Sequence, residues 1–487
     1  MRLLPLAAVS LLLFLVPAQA QIDPAPGAGP TDDVLAEALA TVGFTRADLG
    51  YRPKGYWNRY PDPATTPYKL RAFDDLLAEP LMTYDYTRTM ANAVGRYLNP
   101  ADENNGGPDS LYHLVYSLGV DRFMGGFRNY SANLTRVPDA ANPLKSAIQE
   151  AYRDGARDLE APTFGASTAW PVEKSPDAAM LASVPLELQT IVARALLNEL
   201  EAAHWRELAL RNCDGNALAT VFAIRDLGQS QGDGQVYYPA VDDVAKSMDW
   251  QSMGYCWLKA AAAAGHLRKE AGDWVATQTP ATLAAVHFDF VTPQGRVVIT
   301  GSGADTLDGD PVALWLDLGG NDTITAAVGS ATTQQMPVAI GVDLGGHDTY
   351  TTTSPGLGAG ILGAGMLWDA GSLGNAFNAE SLALGVGQLG CGAINVEGDN
   401  PDLYRANSSA SGAGLLGIGI SADGGGADSY TLTGGEGLGF GGVGGIGVLA
   451  DVSGDDHYYA EPDASKSPGR ADYHSDFAVN VSNAMGV

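Results

Sequence analysis

Two hydrophobic periodicities divide the chain. Between residues 31 and 290 apolar residues recur at three- and four-residue spacing, as in "VLAEALATVGF", "KLRAFDDLLAEPLM", "SLYHLVYSLGV", "PLKSAIQEAYRDGA", "LELQTIVARALLNELEAAHWRELAL" and "VDDVAKSMDWQSMGYCWLKAAAAAGHLRKEAG". That spacing predicts roughly six to eight helices, each with one buried face. Thr31-Asp32-Asp33 supplies a cap and an acidic first turn for the first of them. An aromatic loop, "GYRPKGYWNRYPDP", crosses the region.

From residue 291 the period changes. An acidic corner returns at near-constant interval in "LWLDLGGNDTIT", "IGVDLGGHDTYT", "ISADGGGADSYT" and "VLADVSGDDHYY". With the first acid of each corner as position 0, the column reads Asp317, Asp343, Asp369, Glu397, Asp423 and Asp451. Position −3 is apolar throughout (Leu314, Ile340, Met366, Ile394, Ile420, Val448), −4 is Ala or Gly, and −5 is apolar or small. The alternation reads as a strand with one face in the core. Position +5 gives Asp322, Asp348, Asp402, Asp428 and Asp456, with Asn375 in the third copy. Two residues on stand Ile324, Tyr350, Phe377, Tyr404, Tyr430 and Tyr458, returning to the interior. A shorter opening copy aligns Thr300, Asp305 and Leu307.

A repeat of about this length predicts one full coil of a parallel β-helix, stacked at about 4.8 Å per coil. The fold class expected is α+β multidomain: an α-helical N-terminal domain followed by a Gly/Asp-rich parallel β-solenoid. The boundaries are a leader at 1-20, a linker at 21-30, the helical domain at 31-290, about seven coils at 291-460 and a polar tail at 461-487. The helical domain is expected to cap one end of the stack. Glycines supply positive φ and close approach at the corners.

Composition sharpens this division. The net charge is −28, which excludes the basic footprint that nucleic acid requires. Beyond residue 290 there are 4 Lys/Arg against 22 Asp/Glu, together with 41 of the 61 glycines. Residues 1-20 carry Arg2, an apolar run from Leu3 to Val16 and Ala18-Gln19-Ala20, the pattern of a cleaved signal peptide. A secreted or periplasmic location is therefore expected, with no transmembrane segment after cleavage. Cys213, Cys256 and Cys391 are too few for a disulfide scaffold; Cys213 with Cys256 is one pairing, three buried thiols the other reading. Glu201 and His204 lie at the spacing of di-iron helix bundles, but no second Glu-x-x-His exists, so a solvated helix face is the expectation. No nucleophile elbow, P-loop or His-Glu-x-x-His is present.

The corners carry the candidate chemistry. Stacking aligns carboxylates about 4.8 Å apart, and like charges that close repel by roughly 1 kcal/mol per pair even in bulk water. Either each Asp side chain bonds its own backbone in an Asx turn, or a divalent cation lies between coils. Calcium, which takes six to eight oxygen ligands, is the expected cation. "TGSGADTLD", Thr300 to Asp308, resembles the nonapeptide of the hemolysin-type (RTX) calcium-binding repeats, differing at its first glycine. The resemblance covers about nine residues per repeat, as "DLGGNDTIT" and "DLGGHDTYT" keep Gly-x-Asp-x-apolar. It implies calcium ligation by Asp305, Asp322, Asp348, Asp428 and Asp456 together with glycine carbonyls. With the acids at 0 and +5, the candidate metal set is Asp305, Asp317, Asp322, Asp343, Asp348, Asp402, Asp423, Asp428, Asp451 and Asp456.

The leading expectation is an exported, calcium-stabilised β-solenoid with a structural, surface or carbohydrate-binding role and no catalytic residues. Its partners would be calcium and an extracellular polysaccharide or cell surface. The rival is a polysaccharide-acting enzyme, glycoside hydrolase or lyase, on the same scaffold. It would use Asp399 with Asp402 or Asp455 with Asp456.

Overall fold

The computed structural model describes residues 32–49, 70–97, 107–120, 133–136, 139–154, 174–223, 239–353, 355–371 and 373–460. The expected leader at 1-20, the 21-30 linker, the aromatic loop and the 461-487 tail lie outside the described residues. The chain divides into two compact units. The smaller holds Met1–Tyr51 with Ala72–Thr89. In it the helix Asp32–Thr41 precedes a short turn Arg46–Asp48, and Arg46 pairs with Glu79.

The smaller unit also holds the helix Phe73–Ala78, and the larger unit holds the helices from Gly107–Ser117 onward and all the strands. Leu186–Leu210 is helical as its periodicity predicts, and is the longest run of the region beside Trp250–Val275. The stretch beginning "VDDVAKSMDW" forms two helices, Pro239–Ser247 and Trp250–Val275. The break lies at Asp249, whose carboxylate accepts the N–H groups of Gln251 and Ser252 and so caps the second helix. Helix Gly215–Ala223 lies outside the stretches that periodicity singled out. Among the described residues no helix is long and apolar enough to cross a membrane.

The C-terminal part is a parallel β-solenoid of about five full turns between residues 314 and 460. Its broad sheet runs Phe288–Thr292, Gly295–Thr300, Val312–Asp317, Val338–Asp343, Ala364–Asp369, Cys391–Val396, Ile418–Asp423 and Ile446–Asp451. Only the first pair is antiparallel. A second sheet of seven strands follows the corners, from Thr306–Leu307 to His457–Ala460. Short third-side strands at Gly360–Ile361, Gly387–Gln388 and Gly414–Leu415 close the coil.

Strand register corrects one column. Asp369 pairs with Val396, and Val396 with Asp423. Val396, not Glu397, therefore occupies position 0 of the fourth full coil, and Ala393 rather than Ile394 occupies −3. Val396 and Ile394 face the solenoid interior with Trp315 and Leu367. Glu397 turns outward, where Arg268 and the Trp368 indole N–H both donate to it.

Both faces of the broad sheet are buried. Positions −4, −2 and 0 point into the coil. At −4 an added Cβ on Gly365, Gly392 or Gly419 would strike the carbonyl oxygen of Ala359, Val386 or Ala413 on the third side, which explains the glycine in those three coils. The −3 and −5 positions face the helices: Cys391, Ile418 and Ile420 line a small cavity with Leu114, Trp257 and Leu258. A Cβ added at Gly265 of the Trp250–Val275 helix would lie 3.8 Å from the Trp368 ring. Arg206, fully buried, donates to the carbonyls of Leu362 and Gln334. The helices thus cover the side of the stack.

In the interior the rings of Tyr350, Phe377, Tyr404, Tyr430 and Tyr458 stack in sequence, with centroids 4.6 to 5.0 Å apart. Each such pair contributes roughly 0.5–1.5 kcal/mol beyond its buried area.

Candidate metal centre along the acidic corner

The two acidic columns use their oxygens differently. At position 0, Asp317, Asp343, Asp369 and Asp423 accept the N–H of the residue two ahead, Gly319, Gly345, Gly371 and Gly425. This is the Asx turn. Their other oxygens meet side chains. Tyr350 donates to Asp343 Oδ2 at 2.7 Å and lies 3.0 Å from Asp369 Oδ2. Tyr404 donates to Asp423 and Thr300 to Asp317, while Tyr430 and Tyr458 both reach Asp451 Oδ2, at 3.2 and 3.1 Å.

At +5 the side chain bonds a different coil. The N–H of Asp305 donates to Asp322 Oδ1, that of Asp322 to Asp348, and that of Asp348 to Asn375. The series continues from Asn375 to Asp402, Asp402 to Asp428 and Asp428 to Asp456. Each carboxylate therefore ties its own coil to the one before it through a single oxygen. The second oxygens of Asp322, Asp348 and Asp428, in residues that are 5%, 0% and 1% exposed, have no hydrogen-bond partner. Asp451 likewise leaves Oδ1 without one.

The second glycine of each corner is required by this geometry. Gly346 has φ +155°, and a Cβ there would strike the Gly320 carbonyl oxygen and crowd the Asp348 carboxylate. Close approach of successive coils brings the acids together.

Four trios result, each with one carboxylate oxygen per residue and all three oxygens within 4.8 Å of one another: Asp317/Asp322/Asp343, Asp343/Asp348/Asp369, Asp402/Asp423/Asp428 and Asp428/Asp451/Asp456. Nine of the ten candidate residues fall in a trio; Asp305 does not, and Asp369, outside the candidate set, does. Asp369 was passed over because its +5 partner in sequence is Asn375. Its place at the end of the second trio follows from register.

Burial disfavours the charged form of these groups. Asp348 is pushed up to about 8, first by burial and then by the Asp343 charge. Burial likewise raises Asp423 to about 8, Asp402 to about 7, and Asp322 and Asp451 to about 6. Asp317 and Asp369 are raised well above the usual carboxylate range, by burial and then by Asp343. Among the described residues no lysine or arginine forms a salt bridge with any member of a trio. A proton or a metal cation would relieve the conflict, and the unpartnered oxygens fit either one. Calcium–oxygen distances of about 2.3–2.6 Å place opposed ligands up to about 5 Å apart, compatible with these trios.

The other candidates resolve into structural roles. Glu201 pairs with the buried Lys259 at 3.3 Å, and His204 lies 3.5 Å from Glu207, so the Glu-x-x-His pair builds no di-iron site. Cys213, Cys256 and Cys391 are free thiols. Comparisons with protein-family models, curated proteins and solved structures found no match to the chain.

Proposed function

We propose that the chain is an exported protein whose solenoid is ordered by calcium along the acidic corner and serves a structural, surface or carbohydrate-binding role. One observation carries this reading: each trio contains a carboxylate oxygen that is buried and unpartnered, and among the described residues no lysine or arginine pairs with a trio member. Such an oxygen costs about 1–3 kcal/mol if left alone, more if charged. Calcium suits the burial better than magnesium, which usually retains several waters.

Calcium binds the stacked form only, since an unfolded chain does not assemble a trio, and so stabilises it by mass action. The leader-like residues 1-20 support export, and outside the cell calcium is plentiful. The rival enzymatic reading gains no support from the site. The carboxyls with raised pKa are largely buried, Asp348 fully and Asp402 at 6% exposure, out of reach of a polymeric substrate, whereas Asp399 and Asp455 are exposed.

The test is thermal unfolding of the full chain by circular dichroism in millimolar calcium, in magnesium and in excess chelator. The full chain is used because helices cover the broad sheet. A rise in melting temperature with calcium, absent with magnesium and reversed by chelation, is expected. An identical melt in all three media would leave protons as the corner's counter-charge and overturn the calcium reading.

A further inference from the structure

The acidic strip has a gap. The first two trios share Asp343 and the last two share Asp428. Between these pairs, Val396 occupies position 0 and Asn375 occupies +5.

Asn375 is a comparison that the chain makes with itself. Its Oδ1 accepts the Asp348 N–H at 2.7 Å, as an aspartate does at the other rungs. Its second atom is a donor, and Nδ2–H reaches Asp369 Oδ2 at 3.0 Å. At the neighbouring rungs that second atom is an oxygen, and in Asp322, Asp348 and Asp428 it is buried and unpartnered. One atom thus separates a satisfied rung from an unsatisfied one. Where the column offers a donor, the second atom of the rung finds its partner within the chain. Where it offers an oxygen, something positive has to come from outside.

Charge follows the same division. The first pair of trios contains five carboxylates (Asp317, Asp322, Asp343, Asp348, Asp369), and so does the second (Asp402, Asp423, Asp428, Asp451, Asp456). Two divalent ions per pair would offset all but one of those charges; a single ion would leave three unbalanced.

We propose that calcium loads the solenoid as two coupled pairs of sites, one pair on each side of the Asn375 rung, whose amide takes the place of a cation. This rests on the calcium reading above. Asp343 and Asp428 each serve two ions, so neither member of a pair is complete without the shared carboxylate. Asp317 and Asp456, at the outer ends, each serve one.

The experiment measures calcium bound per folded chain, by equilibrium dialysis with metal analysis, for the full chain and four isosteric variants. The unmodified protein is expected to hold four ions, Asp343→Asn and Asp428→Asn two each, and Asp317→Asn and Asp456→Asn three each. Equal loss of one ion in all four variants would overturn the pairing while leaving the calcium reading intact. No bound calcium in the unmodified chain would sink both. Asn375→Asp keeps the question open to refutation even if the shared acids prove necessary for folding. It removes the donor to Asp369 and adds an oxygen, so its melting temperature is expected to fall in chelator and recover in calcium. An equal fall in both media would overturn the role assigned to the amide.

Discussion

On the helical side of the solenoid, basic residues meet partners supplied by the chain, while Glu199, buried with both oxygens unpartnered, is pushed by burial up to about 8. Arg206 lies between the Leu362 and Gln334 carbonyls, Arg268 meets Glu397, and Lys259 meets Glu201. Along the acidic corner the chain supplies N–H groups and phenols but no cation, and oxygens are left over. The difference follows from reach. Two long helices lie against the broad sheet and carry arginines to it, whereas no lysine or arginine stands in the corner segments Asp317–Asp322, Asp343–Asp348 and Asp423–Asp428. The corner's stacked carboxylates are thus left without a basic partner from the chain.

Changing pH should separate the two regions most strongly. Asp348 and Asp423 have folded pKa values of about 8, against about 3.9 for an unfolded aspartate. A carboxyl whose folded pKa is raised contributes stability that is fully present below its unfolded value. That stability is lost as pH rises through the folded one. In chelator the protein should therefore melt at a higher temperature at pH 5 than at pH 8. The loss approaches roughly 1.4 kcal/mol per pH unit for each carboxyl forced to ionise. In calcium the ionised forms are the ligands, so the slope should shrink or reverse. A melt independent of pH from 5 to 8 in chelator would show that the corner carboxyls are ordinary.

The helical side should respond to Arg206→Met instead. Two carbonyls lose a charged donor, and about 2–4 kcal/mol is expected to go at any pH and in any calcium concentration. A loss confined to chelator would mean that Arg206 acts through the corner after all.

How legible these regions were differs for physical reasons. The stack, the corner and the ring column could be read because coil-on-coil stacking imposes the same burial on every copy, as with Tyr350, Tyr404 and Tyr430. The fourth coil was misread by one residue because Glu397 looks like a member of the acidic column. Its place is fixed by Arg268, 129 residues away in sequence. The direction of the +5 hydrogen bonds was also hidden: an Asx turn and a bond to the previous coil place the same residue at the same spacing. Positive φ was assigned to glycine, yet Leu357, Leu384 and Leu438 adopt φ of 51 to 57°, and Leu362, Leu389 and Leu416 47 to 49°. All six are buried. A left-handed leucine is strained by roughly 1–2 kcal/mol, and burying its side chain contributes about 1.5–3 kcal/mol, so packing prevails over local preference.

The smallest effect tests how evenly the phenols share the corner. Tyr404 is the donor to Asp423 Oδ2, whereas Asp451 Oδ2 receives both Tyr430 and Tyr458. Phenylalanine at either place keeps the stacked ring and removes only the hydroxyl. Tyr404→Phe should then cost about 1–3 kcal/mol in chelator, the cost of stranding a buried acceptor. Tyr430→Phe should cost less, about 0.5–1 kcal/mol, because Tyr458 remains. Chemical denaturation of both variants at pH 7 gives the comparison. Equal costs would mean that the two phenols on Asp451 act as a unit. Calcium should narrow the gap between the variants, since an ion at either trio satisfies the oxygen that the missing hydroxyl leaves behind.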